Sequence, residues 1–429
     1  MNQLIQAYIT EQQARFAKLQ LELPPEFIDP ERLGHMADAL PIAETQLIAL
    51  AKNLFQSGTH NFEPQSDCLL LKGQIANLKI LTLIRDLTLT QKFNYQFCLV
   101  DDELEAYFLE NATTTQLDQQ VAMDLEMHVP VTHRISVKQN PSPKLQFDPD
   151  KLAYVSRKLT TITDSYSSGK RHYTLTVIPT IADAELDNLA YEDYLALFFE
   201  ACNQPWAEIR REQALLIERF NQGREVKITN SDGTNLRFDI SEMTFVNSVT
   251  LKNIPGSEFF SAPKREGVSG KLVAKGNFHY GNYGLIKDIT LDFEQGRVVS
   301  FAASEGEAIL AKIIAADDGH GEGSRHLGEL AFGTNPRLKK HMVNSLLVEK
   351  IGHSFHVALG KCYTYTNYDG QPVRVNNGNE SYSGIHWDIT TMLGGKDGKV
   401  YLDDILIQDN GIWLDKTGKP DPRLKVLNG

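Results

Sequence analysis

The chain has 429 residues, 41% hydrophobic and 23% charged, the balance of a globular protein. Its net charge of −12 argues against nucleic acid or an anionic membrane as a partner, since both would repel it. That length exceeds one ordinary core, so two domains are expected. The four cysteines, Cys68, Cys98, Cys202 and Cys362, form no CxxC pair. They indicate neither a zinc ribbon nor a disulfide framework, and reduced thiols fit a cytoplasmic protein. The opening MNQLIQAYITEQQARF is polar and lacks the apolar centre of a signal peptide. No apolar run approaches bilayer-spanning length, so no membrane partner is expected.

Residues 1–60 read as helices punctuated by Pro24-Pro25, Pro30 and Pro41. Asp29-Pro30-Glu31 has the form of an N-cap followed by proline at the first helical position. Ala43–Gln56 carries Leu47, Leu50 and Leu54 at helical spacing. Cys68–Leu71 reads as a short buried strand ending at Lys72-Gly73, and Ile75–Leu89 as a helix. Tyr95–Val100 and Arg171–Pro179 read as further strands. Val129–Asp150 is proline-spotted and reads as a loop-rich crossover. Tyr191–Cys202 and Trp206–Gln222 are predicted helices, the second closing at Gly223. Strands alternating with helices predict an N-terminal α/β domain with a largely parallel sheet, residues 1–224.

From Val226 the texture changes. VKITN-SDGTN-LRFDI predicts a hairpin around Asp232-Gly233. Lys271–His279, Leu285–Phe293 and Arg297–Ala303 are β-rich runs between glycine turns, and Gly394–Gly398 is a further turn. Glu305–Ala316 is predicted helical with Ser304 as its N-cap. Residues 225–429 therefore form a β-rich α+β C-terminal domain.

Candidate chemistry concentrates there. His386-Trp387-Asp388 on a strand would point both polar side chains to one side, within reach of one cation. In Ser354–Gly360, Phe355, Val357 and Leu359 share one face and His356 takes the other. Glu329 stands in Leu327-Gly328-Glu329, and Glu258 in Asn253–Pro263. Taken singly, each has a plain structural reading: a surface pair, a half-buried strand, a carboxylate after a turn, a solvated loop residue. Asp317-Asp318-Gly319-His320-Gly321-Glu322 is rich in ligand types but reads as a solvated glycine loop. Gly267–Gly270 is no phosphate loop, no GxSxG elbow is present, and Cys362 reads as a buried thiol.

Together the phrases resemble the aminopeptidase T family, the thermophilic aminopeptidases. Its NxPxxExFxAP phrase is matched by Asn253–Pro263, and its LGE phrase by Leu327-Gly328-Glu329. Its histidine, followed by a hydrophobic-Ala-hydrophobic-Gly phrase and then a tyrosine, is matched by His356 and Tyr363, and its HxD pair by His386 and Asp388. Order and spacing agree over residues 225–410, while the first 60 residues look like a divergent helical extension. The resemblance implies a metal-binding C-terminal domain with five ligands: Glu258, Glu329, His356, His386 and Asp388. They would hold two divalent ions, zinc, cobalt or manganese, around a bridging water. Glu258 and His356 are assigned to one ion, His386 and Asp388 to the other, with Glu329 shared. Tyr363 would be the active-site tyrosine. The implied activity is removal of N-terminal residues from peptides with a free N-terminus, by a cytoplasmic homodimer. A metal- or peptide-binding relative without turnover is the competing reading.

Overall fold

The computed structural model describes residues 2–38, 40–140, 142, 145, 147–280 and 284–429. It divides into two compact units, Met1–Ala184 with Ala190–Leu195, and Glu185–Leu189 with Ala196–Gly429.

The first unit is built on β1 (Leu69–Gln74), β2 (Tyr95–Val100), β3 (His133–Lys138) and β4 (His172–Val177). They run parallel in the order β2-β1-β3-β4. Leu69, Leu70 and Leu71 are all fully buried, as a strand inside a helix-flanked parallel sheet requires. The expected N-cap is present, with Asp29 Oδ1 accepting from the Glu31 amide at 3.0 Å. Lys72-Gly73 lies inside β1 instead of ending it. The helix after β1 begins as a 3-10 turn at Ile75–Asn77 and runs on as Leu78–Thr90.

One expectation is overturned. Val129–Asp150 is not all crossover, because it contains β3, an inner strand of the sheet. Ile135 and Val137 are fully buried while Lys138 is exposed. The strand is six residues long, has no proline and draws its hydrogen bonds from β1 and β4, so the prolines on either side of it dominate the local signal. Residues 141, 143, 144 and 146 of that interval lie outside the described residues.

The second unit holds helix Trp206–Phe220, whose Ile209, Leu216 and Phe220 join its core. The compact unit thus begins before the change of texture at residue 225. Its strands are β5 (Glu225–Thr229), β6 (Asn235–Asp239), β7 (Val246–Ser248), β8 (Glu258–Ser261) and β9 (Val268–His279). Next come β10 (Leu285–Glu294), β11 (Arg297–Glu305), β12 (Leu327–Gly333) and β13 (Ser354–Gly360). The last are β14 (Asn367–Tyr368), β15 (Gln371–Pro372), β16 (His386–Met392), β17 (Lys399–Leu402), β18 (Ile405–Asp409) and β19 (Ile412–Trp413). Among the described residues one sheet has the order β11-β10-β9-β6-β5-β17-β18-β19 and a second β16-β13-β12-β8-β7, both antiparallel. One apolar cluster takes residues from both, such as Val226, Ile228 and Leu291 from the first and Phe259, Phe332 and Phe355 from the second. The expected hairpin is β5–β6, paired Val226 to Phe238.

Ser304 does not cap the following helix. The β10–β11 ladder continues to Lys287–Glu305, and the Ser304 hydroxyl donates to Lys287 O at 3.1 Å. Gly306, at φ 75°, turns the chain into helix Glu307–Ile314 instead, a left-handed conformation that suits glycine.

Candidate metal centre

The five-stranded sheet has one oily face and one polar face, and register decides which residues share each. Leu330, Phe332, Phe355, Val357, Leu359, Trp387 and Ile389 enter the apolar cluster. Alternate positions put Glu258, Glu329, His356, His386 and Asp388 on the opposite face. Across the ladders each of them is paired with a small residue. Glu258 stands opposite Gly333, His356 opposite Ala331, and His386 opposite Gly360. Glu329 and Asp388 both pair with Ala358. Missing side-chain volume at these four positions is what lets five polar side chains from four strands converge. Gly328 matters for a different reason: the β12–β13 register shifts between Leu327 and Glu329, and a Cβ there would lie 2.1 Å from Lys361 O.

His356 Nε2 lies 3.5 Å from Glu258 Oε2, 3.6 Å from Glu329 Oε1 and 3.9 Å from Asp388 Oδ1. His386 Nε2 lies 3.4 Å from Glu329 Oε2 and 3.6 Å from Asp388 Oδ2. Two triads result, Glu258–Glu329–His356 and Glu329–His386–Asp388, each with polar atoms within 4.8 Å of one another. Glu329 belongs to both. His386 Nδ1 sits 2.7 Å from Lys361 O, a contact that places the ring proton there and leaves Nε2 facing the cluster.

Burial pushes the Glu258 and Asp388 carboxyls above the usual range. Burial would also raise Glu329, but the two imidazoles outweigh it and hold this group at about 2. Burial opposes charge on both histidines, yet the carboxylates lift His356 to about 9 and His386 to about 10. The crowded carboxylates thus demand positive charge, and without cations the imidazoles carry it. Glu258 Oε2, Asp388 Oδ1 and His356 Nδ1 are buried with no hydrogen-bond partner among the described residues. Two of these three orphans are carboxylate oxygens facing the cluster. The mixed oxygen and nitrogen donor set therefore fits divalent cations.

Two residues beside the cluster escaped the sequence reading. Lys350 is fully buried, with Nζ 2.5 Å from Glu258 Oε1 and 2.7 Å from Glu349 Oε2. Burial opposes its charge, but the two carboxylates hold it protonated. Glu349 is pushed up to about 7, chiefly by burial. It lines a cleft of about 240 Å³ with Phe278, Met342, His386, Trp387 and Asp388. Neither residue sits in a motif; the available signal was an adjacent acid–base pair just ahead of the His356 strand. Tyr363 is partly buried, its ring centroid 5.6 Å from that of His386. The Asp317–Glu322 loop stays apart from the cluster: Asp318 pairs with Arg325, and Glu322 with Arg297. Cys362 is buried, its thiol donating to Asn376 Oδ1 at 3.3 Å.

Among curated proteins, aminopeptidase AmpS of Bacillus subtilis (strain 168) is 31% identical over 156 residues, 34% of this chain and 35% of that protein. Aminopeptidase T of Thermus thermophilus is 31% identical over 174 residues, 39% of this chain and 38% of that protein. The matched segments thus span well under half the length of these relatives. The solved structure of wild-type AmpT from Thermus thermophilus superposes with a TM-score of 0.67 at 20% identity, covering 87% of this chain and all of that one, a likeness of fold. Residues 43–411 match the thermophilic metalloprotease (M29) family, and the chain belongs to it.

Proposed function

We propose that this protein is a metal-dependent aminopeptidase acting on peptides with a free N-terminus. The observation that carries the reading is the position of Glu329, within reach of both His356 and His386. Glu258 and His356 would hold one divalent ion, His386 and Asp388 a second, with Glu329 shared. Zinc, cobalt and manganese all suit that set. When bound, such ions supply Lewis acidity toward a peptide carbonyl and lower the pKa of water.

The chain's own groups supply the rest. Glu349, facing the cleft, takes and returns a proton during peptide-bond cleavage. Lys350 offsets part of the cluster's negative charge and fixes the rotamers of Glu258 and Glu349. Tyr363, beside His386, presents a phenol that can donate to a developing oxyanion. Phe278 and Trp387 give the cleft apolar walls suited to the N-terminal side chain and to exclusion of water. A homodimer in the cytoplasm belongs to the same proposal, supported by resemblance alone.

The test is release of p-nitroaniline from Leu-p-nitroanilide. Turnover should vanish on chelation and return with cobalt, zinc or manganese. A protein that binds two metal equivalents yet shows no turnover on any amino-acid anilide would instead be a binding relative.

A further inference from the structure

The catalytic cleft shares a wall with a second, larger cavity. That cavity, about 860 Å³, is lined in part by Arg337, Lys339, Lys340, Met342 and Lys425. Met342 also lines the cleft that holds His386 and Asp388. Its neighbour Val343, another cleft residue, donates its amide to both oxygens of Asp187, which lines the larger cavity, at 3.0 and 3.1 Å. Met342 and Val343 thus stand between the cleft and this chamber, which lie side by side.

The chamber's charge runs against that of the molecule. Four cations, Arg337, Lys339, Lys340 and Lys425, face three carboxylates, those of Asp187, Glu200 and the terminal Gly429, within a protein of net charge −12. Asp187 is engaged on the Val343 amide, and Lys339 donates to Gly429 O at 2.6 Å. Arg337, Lys340 and Lys425 are exposed, and no ion pair within the described residues engages them. His341 adds no charge, since burial pushes it down to about 4.

We propose that this chamber is a carboxylate-binding subsite for the part of the peptide beyond the scissile bond, so that short peptides ending in a free carboxylate are preferred. Arg337, Lys340 and Lys425 collect that group. The proposal rests on the aminopeptidase reading for its substrate class, but it makes a separate claim about charge. The carboxylate can be the peptide's own terminus or an acidic side chain, and the two sources are separable.

The experiment compares kcat/KM for Leu-Gly-Gly as free acid and as C-terminal amide, then for Leu-Gly-Glu-amide and Leu-Gly-Gln-amide. The free acid should be favoured by about tenfold, an advantage that shrinks in high salt. In Arg337→Gln/Lys340→Gln/Lys425→Gln the acid-to-amide ratio should fall toward parity; the single Lys340→Glu variant should lower it in part. These side chains are exposed, and a thermal melt checks that the variants fold. A preference seen only in the Glu/Gln pair assigns the subsite to an acidic side chain and overturns the terminal-carboxylate preference. Parity in the wild type, or a preference that survives the triple variant, overturns the subsite altogether. Calorimetric titration of metal-free protein with the same peptides reads the charge preference without turnover. If no anilide is hydrolysed but binding still discriminates, the aminopeptidase reading fails and the subsite stands; equal affinities for acid and amide sink the subsite alone.

Discussion

The Lys350 ammonium lies 2.5 Å from Glu258 Oε1, both side chains are buried, and the pair joins positions 92 residues apart. A buried cation held by two carboxylates is costly to leave half-made, because removing one partner strands the other charges away from water.

Lys350→Met should therefore destabilise the metal-free protein by about 3–5 kcal/mol. Divalent cations should recover part of that loss, since they neutralise the stranded Glu258. Urea unfolding of wild type and variant, in chelator and then in excess zinc, reads both effects. Equal midpoints in chelator would show that Lys350 contributes nothing net.

Glu329 is common to both triads, whereas Asp388 belongs to one. Glu329→Ala should abolish stoichiometric binding at both sites, while Asp388→Ala should retain a single tight equivalent. Metal analysis after desalting separates the two outcomes. Anilide turnover should fall by at least about a hundredfold in Glu329→Ala.

Ala358 stands opposite both Glu329 and Asp388 in the ladder and is fully buried. Ala358→Leu fills the space those carboxylates need, and overpacking of this kind costs about 1–3 kcal/mol. The expected signature is a loss of metal affinity larger than the loss of stability, measured by competition with a chromogenic chelator and by thermal unfolding. The opposite ranking would place Ala358 in general packing only.

His341 sets a pH limit outside the metal centre. It is packed edge-on against Phe278, its Nε2 has no hydrogen-bond partner among the described residues, and burial lowers it from 6.5 to about 4. Below pH 6.5 the unfolded chain takes a proton that the folded chain refuses. Stability therefore falls as pH drops from 6.5 toward 4, by up to about 3 kcal/mol. Urea midpoints in chelator across that window should decline less steeply for His341→Gln, by about one proton's worth of slope.

His356, His386 and Asp388 were readable as co-facing groups because they lie at alternating positions of strands. In Ser354–Gly360 and His386–Met392 a period of two separates the polar face from the apolar one, and local sterics alone impose that separation. The same holds for the β5–β6 hairpin, whose Asp232-Gly233 turn and alternating runs are local signals. Helix spans such as Leu78–Thr90 followed from spacing of a few residues, again a local property.

What lay outside local reach was pairing. Strand β3 sits inside its sheet because β1 and β4 supply its partners, and Ser304 lost its expected capping role to the β10–β11 ladder. Alternation by itself placed His356, His386 and Asp388 on one face of their strands, while the five-ligand set came from the motifs' resemblance to a family. Glu258 and Glu329, read as a loop residue and a carboxylate after a turn, prove to be buried strand residues. Only the tertiary structure decided that Glu329 sits between the two histidines, that Ala358 and Gly333 leave room for the carboxylates, and that Lys350 reaches Glu258. The reason is physical: alternation is set by backbone geometry two residues at a time, whereas register, burial and charge compensation are set by partners brought together only when distant segments fold.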